Sequence, residues 1–129
     1  MARTIKVGLL GFGTVGTGVY RMLRDNEQAI LARVGAPMQI TRIGVRDLDK
    51  PREAPADLVT TDLDSIVADP EIDVIVEVIG GTDPAGRLIA AALENGKPVV
   101  TANKEWMSKE GQRYVRLAAE RGLDLHYEA

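Results

Sequence analysis

The chain has 129 residues, 16 of them basic and 19 acidic, for a formal charge of −3, and it contains no cysteine. That length holds one domain with a real core, not two. The charge excludes a general attraction to nucleic acid or an anionic membrane, and the missing cysteine excludes disulfides, a thiol nucleophile and thiolate metal sites.

Ile5 to Leu10 reads as a buried strand, β-branched at its start and stopped by glycine. It runs straight into Gly11-Phe12-Gly13-Thr14-Val15-Gly16, a Gly-x-Gly-x-x-Gly pattern. From Thr14 to about Val34 the apolar residues Val15, Val19, Met22, Leu23, Ile30 and Leu31 fall mostly at helical spacing, which predicts one helix broken by Gly35-Ala36-Pro37. Ile40 to Val45 is the second strand. Asp47 to Asp57, with its prolines and charges, reads as a loop, and Leu58 to Thr60 as a short edge strand. Asp62 or Asp64 caps a short helix through Ile66 and Val67, ended by Asp69-Pro70.

Val74 to Ile79 is the next strand, stopped by Gly80-Gly81. Thr82 or Asp83 caps an alanine-rich helix to Asn95, with Pro84 near its first turn and Gly96 beyond its end. Pro98 to Thr101 is a strand, Asn103 caps a helix to Arg121, Gly122 closes it, and Leu123 to Glu128 is the last strand. No apolar run is long enough to span a bilayer, and the first residues enter a strand instead of a leader-like segment, so a cytoplasmic protein is expected.

Strands and helices alternate throughout. The expected fold is therefore α/β: a Rossmann-type, doubly wound, mainly parallel sheet with helices on both faces. The expected strand order is 3-2-1-4-5-6, with its crevice between the carboxyl ends of the first and fourth strands. Those ends are Gly11–Gly16 and Ile79–Thr82, so two separate features indicate one place.

A lone glycine pattern is weak, because 13 glycines allow chance matches. Between a strand and a helix it is specific for a dinucleotide. Gly11 permits the tight turn, Gly13 lets a pyrophosphate approach the backbone, and Gly16 lets the helix pack close to the sheet. The N–H groups of Thr14 and Val15 begin the helix and are the expected phosphate donors. Phe12 is either a flap over the cofactor or a packing residue.

The second strand ends in Val45-Arg46-Asp47. An acidic residue there suits a free ribose 2′-OH, and an arginine suits a 2′-phosphate. Arg46 comes first, with Lys50 and Arg52 following, which favours NADP over NAD. Lys50 and Arg52 also fit a solvated charged loop.

Glu77 sits in an otherwise apolar strand, where a buried carboxyl needs a partner or a cleft. Thr101, Asn103 and Lys104 lie at the carboxyl end of a strand, where such sheets bind ligands. A lysine in a helix's first turn is disfavoured by the dipole, which argues that Lys104 is kept for chemistry. Trp106 and Met107 read as packing residues. His126 reads as a structural histidine and, being single, cannot build a multi-histidine metal site.

Together, Val7 to Gly16, Val76 to Gly81, Gly96-Lys97-Pro98-Val99-Val100-Thr101-Ala102-Asn103-Lys104 and Leu125-His126-Tyr127-Glu128-Ala129 resemble the N-terminal part of homoserine dehydrogenase. The segments follow the family's order, and Thr-Ala-Asn-Lys after a short strand is much more specific than the glycines. The resemblance implies NAD(P)H-dependent interconversion of L-aspartate 4-semialdehyde and L-homoserine, on the way to threonine and methionine. It implies phosphate contacts at Gly11–Gly16, a 2′-phosphate contact at Arg46, and nicotinamide near Ile79, Gly80 and Thr82. It implies Lys104 in catalysis and a main-chain oxygen of Glu128 as a sodium ligand.

The family continues past the residue that is Ala129 here. Its later domain carries most substrate contacts, a second catalytic lysine, the dimer interface and the remaining sodium ligands. Residues 1–129 are thus expected to be a cofactor domain that binds NADPH and turns over nothing alone, the longer protein being a homodimer with a small-molecule substrate. Two other readings remain: a non-catalytic NAD(P)-sensing module that switches a partner, and another Rossmann-type amino-acid or sugar dehydrogenase.

Overall fold

The computed structural model describes residues 3–81 and 83–127. Six strands form one sheet in the order β3-β2-β1-β4-β5-β6. They are β1 (Ile5–Leu10), β2 (Met38–Gly44), β3 (Val59–Thr60), β4 (Val74–Glu77), β5 (Val99–Thr101) and β6 (Leu125–Tyr127). Every neighbouring pair is parallel, as expected of strands joined by helical crossovers. The chain reverses its direction of growth between β1 and β4, and ligands bind at that switch point in such sheets.

Successive strand side chains point to opposite faces, so each central strand feeds two cores. Leu10 and Ile75 join Ile66, Leu88, Ile89, Leu93 and Trp106 on the face covered by α3 (Leu63–Ala68), α4 (Ala85–Glu94) and α5 (Lys104–Glu120). Leu9, Ile43 and Val45 pack on the other face with Val19 and Tyr20 of α1 (Thr14–Asp25). Trp106 stacks on Tyr114 at 5.4 Å and lies against Gly86, so it is a packing residue.

Several boundaries differ from the sequence reading, each for a local reason. The helix expected over 14–34 is two helices, α1 and α2 (Glu27–Val34), separated at Asn26. There the backbone departs from helical angles at φ −118°, although the Asn26 N–H still donates to Met22 O at 3.1 Å and its side chain donates to the same carbonyl at 2.9 Å. The fourth strand ends at Glu77 instead of Ile79, because the N–H of Ile79 turns back to the Glu77 carboxyl. The last strand begins at Leu125, since the Leu123 N–H is spent on Ala118 O. Pro84 stands at the N-cap of α4 with no side-chain cap; of the two expected capping residues, Asp83 does not serve and Thr82 lies outside the described residues. Of the two candidates for α3, Asp62 is the cap, accepting from Ser65 N at 3.2 Å.

Lys97 is buried beside this frame. Its Nζ donates to Asp69 O at 2.6 Å and Ile72 O at 2.9 Å, joining the α3–β4 connection to the start of β5.

Candidate functional site

At the carboxyl ends of β1, β2 and β4 the surface opens into a crevice of about 680 Å³. Gly11, Phe12 and Gly13 form one wall, Val78, Ile79 and Pro84 another, and Val45, Arg46 and Asp47 its far end. A second groove, of about 770 Å³, runs along α5 and contains no residue of either glycine-rich loop. It is lined by charged side chains such as Lys109, Glu110 and Arg113, two of which are paired along the helix.

The three glycines of the first loop differ in what surrounds them. Gly11 has φ +103°, a left-handed conformation that β-carbons oppose, and a side chain there would meet the backbone of Val78 at 3.0 Å. Gly16 is buried against the turn, where a Cβ would come within 2.3 Å of Gly11 O. Around Gly13 nothing lies within 4 Å of an added Cβ. Two glycines are therefore required by the protein's own packing, while the third leaves open space facing the crevice.

Gly13 is also the N-cap of α1 and supplies no side-chain cap; its carbonyl accepts from Thr17 N at 2.9 Å. The first-turn N–H groups of Thr14 and Val15 thus lack intrahelical acceptors, and no acidic residue occupies that turn. This is the chemistry of an anion cradle, with open space at Gly13 for the anion's approach. Phe12 packs edge-on against Tyr20 at 5.7 Å and also lines the crevice.

Arg46 is exposed at the end of β2, and its side chain makes no hydrogen bond or ion pair among the described residues. The loop that follows is held by Asp47, Arg52 and Glu53. Arg52 folds back, donating to Lys50 O at 2.9 Å and to Asp47 O, and Asp47 Oδ1 accepts from Asp49 N at 2.8 Å. Glu53 fastens the loop to α1, accepting from Arg21 and, at 3.2 Å, from Arg24. The Arg21 hydrogen bond, then the charges of both arginines, hold the Glu53 carboxyl below its ordinary range. Arg52 is thus a brace of the loop. Sequence alone did not reveal the Glu53 clamp, which joins residues 29 and 32 positions apart.

Thr101 and Asn103 are buried and, like Lys104, do not line the crevice. The Thr101 hydroxyl donates to Glu77 Oε1 at 2.5 Å and accepts from Asn103 N at 3.0 Å. Asn103 caps α5 through Trp106 N at 3.0 Å and donates its amide to Gly81 O. Lys104 is the first residue of α5, exposed, with no side-chain partner among the described residues. Ile79 lines the crevice and Gly80, next to it, has φ +86°. Thr82 and Glu128 lie outside the described residues. Among the described residues no group of three or more His, Asp or Glu side chains is arranged to hold a metal. No helix among them is long and apolar enough to cross a membrane.

Comparison with known proteins bears on this geometry. A family model described as the homoserine dehydrogenase NAD-binding domain matches residues 11–128. The homoserine dehydrogenase of Bacillus subtilis (strain 168) is 40% identical over 129 residues, covering 98% of this chain and 30% of its own length. That of Mycobacterium tuberculosis (strain H37Rv) is 38% identical over 127 residues, covering 98% and 29%. The crystal structure of a homoserine dehydrogenase from Thiobacillus denitrificans superposes with a TM-score of 0.92 at 43% identity, covering 98% of this chain and 30% of that one. The chain spans about 30% of the length of these relatives.

Proposed function

The chain belongs to the homoserine dehydrogenase family, whose NAD-binding domain it carries, and from that premise we propose that it holds NADP(H) for the interconversion of L-aspartate 4-semialdehyde and L-homoserine. Residues 1–129 form one cofactor domain in this reading. The longer protein is a cytoplasmic homodimer acting on a small-molecule substrate in threonine and methionine biosynthesis. The observation that carries the reading is the meeting of the uncapped α1 N-terminus, the Val78–Ile79 wall and the unpartnered Arg46 in one crevice.

Gly11 and Gly13 clear the approach for a pyrophosphate, and the N–H groups of Thr14 and Val15 donate to it. Gly16 keeps α1 against the turn so that those groups stay in place. Phe12 closes over this part of the crevice. Arg46 supplies a planar pair of donors to a 2′-phosphate, which favours NADP over NAD. Ile79, Gly80 and Thr82 flank the nicotinamide half. Thr101 and Asn103 serve that half indirectly, through their bonds to Glu77 and Gly81.

Nicotinamide, when bound, supplies or accepts the hydride. Lys104 holds a proton for the substrate oxygen, which is an alkoxide as the aldehyde is reduced. It stands at the start of α5, directly after the buried cap Asn103.

In a full-length homoserine dehydrogenase carrying this domain, Lys104→Ala is expected to lower kcat for homoserine oxidation by about 100-fold or more. NADPH affinity is expected to stay within a few-fold. Unchanged kcat overturns the catalytic assignment of Lys104, whereas a full-length protein that binds NADPH and oxidises no homoserine even with Lys104 in place supports a non-catalytic sensor instead. Residues 1–129 alone are expected to bind NADPH without oxidising homoserine, and measurable turnover by them contradicts that expectation.

A further inference from the structure

Glu77 is 0% exposed at the end of β4, yet no cation pairs with it among the described residues. A buried carboxyl is tolerated only when its oxygens are bonded. Oε2 accepts from Ile79 N at 2.8 Å and, at a longer 3.4 Å, from Gly80 N; Oε1 accepts from the Thr101 hydroxyl. Thr101 leads to Asn103 N, and the Asn103 amide leads back to Gly81 O. The bonds close a ring through the ends of β4 and β5 and the first turn of α5.

This ring encloses a turn with unusual needs. Gly80 and Gly81 both have positive φ, at +86° and +72°, so the backbone leaves the strand by two left-handed residues in succession. Glu77 grips the turn from the strand side and Asn103 from the α5 side. Lys104 follows Asn103 directly. One carboxyl therefore sets both the Ile79–Gly81 wall and the entry to the helix that bears Lys104.

We infer that Glu77 is a positioning residue for the nicotinamide half of the site, acting through Ile79–Gly81 and through Thr101 and Asn103. This rests on the reading of the crevice as a dinucleotide site. Being fully buried, Glu77 acts through these neighbours and not by contact with the cofactor. The glycine loop and Arg46 belong to other strand ends and have no bond to the ring.

The test uses two probes on the 129-residue chain: NADPH, and adenosine 2′,5′-bisphosphate, which lacks the nicotinamide half. Glu77→Gln keeps one acceptor oxygen for the turn and an amide for Thr101, whereas Glu77→Leu keeps neither. Glu77→Leu is expected to weaken NADPH about tenfold or more and to leave the bisphosphate within about twofold. Glu77→Gln is expected to restore NADPH binding to within about threefold of wild type, with the Ile79 and Gly80 amide resonances back near their wild-type positions. If Glu77→Leu does not fold, Thr101→Val cuts the ring at its middle and is expected to give the same split between probes. Equal loss of both probes, or unchanged NADPH affinity in the folded variant, overturns the inference. A wild-type chain that binds neither probe overturns the dinucleotide reading itself.

Discussion

Gly16 faces the Gly11 carbonyl so closely that a Cβ on residue 16 would lie 2.3 Å from its oxygen. The contact is with backbone, which cannot swing aside as a flexible side chain can. Gly16→Ala must therefore move α1 away from the turn. We expect a loss of about 2–3 kcal/mol, read as a lower urea midpoint at unchanged slope. Unchanged stability contradicts the close helix–turn packing.

Gly13→Ala is expected to behave in the opposite way. Nothing lies within 4 Å of the added methyl, and the backbone, at φ −82° and ψ −148°, is not left-handed. Stability should stay within about 0.5 kcal/mol. NADPH affinity should fall about tenfold or more, because the methyl fills the space left for the pyrophosphate. Undiminished binding in this variant contradicts the phosphate assignment.

Arg46→Ala separates the two cofactors. The guanidinium has no partner within the described residues, so its removal leaves no broken contact behind. A charge-assisted pair is worth about 1.5–3 kcal/mol, so NADPH affinity should fall roughly 10- to 100-fold. NADH affinity should change by less than about twofold. Equal loss for both cofactors contradicts a 2′-phosphate contact.

Much of this site is legible in the chain because its signals are local. The glycine pattern directly follows β1, and the end of β2 presents Arg46 at once, so strand order and crevice both follow from the alternation of elements. Val78 and Ile79 were less readable. They look like strand residues, but the Glu77 carboxyl captures the Ile79 N–H and ends the ladder early. Glu77, Thr101 and Asn103 meet only because β4 and β5 are neighbours, pairing Glu77 with Thr101 in register. The Asn26 break is hidden for another reason: apolar spacing continues on both sides of it, and the interruption is the backbone conformation of a single residue.

Asp73 gives the fold a dependence on pH. Its Oδ2 accepts from Lys6 N at 2.8 Å and its Oδ1 from Arg3 at 2.7 Å. The Lys6 amide, then Arg3, hold the carboxyl below its ordinary range. A carboxyl lowered on folding stabilises above its unfolded pKa of about 3.9 and loses that contribution as pH falls through the folded value. Arg3 is largely exposed and screened, so the contribution is about 1 kcal/mol. Asp73→Asn should thus be less stable than wild type from about pH 5 upward, and the gap should close as pH falls below about 4. Urea midpoints of both proteins across that range check it, and a gap that persists at low pH contradicts the charge effect.

Dinucleotide binding in the crevice lined by Gly11–Gly13 and Val78–Ile79 is open to a single titration, of the isotopically labelled chain with NADPH, followed through its backbone amide resonances. Saturation at one equivalent is expected, with the largest shifts at Gly13, Thr14, Val15, Arg46, Ile79 and Gly80. Shifts centred on the α5 groove, or none at saturating NADPH, would contradict it.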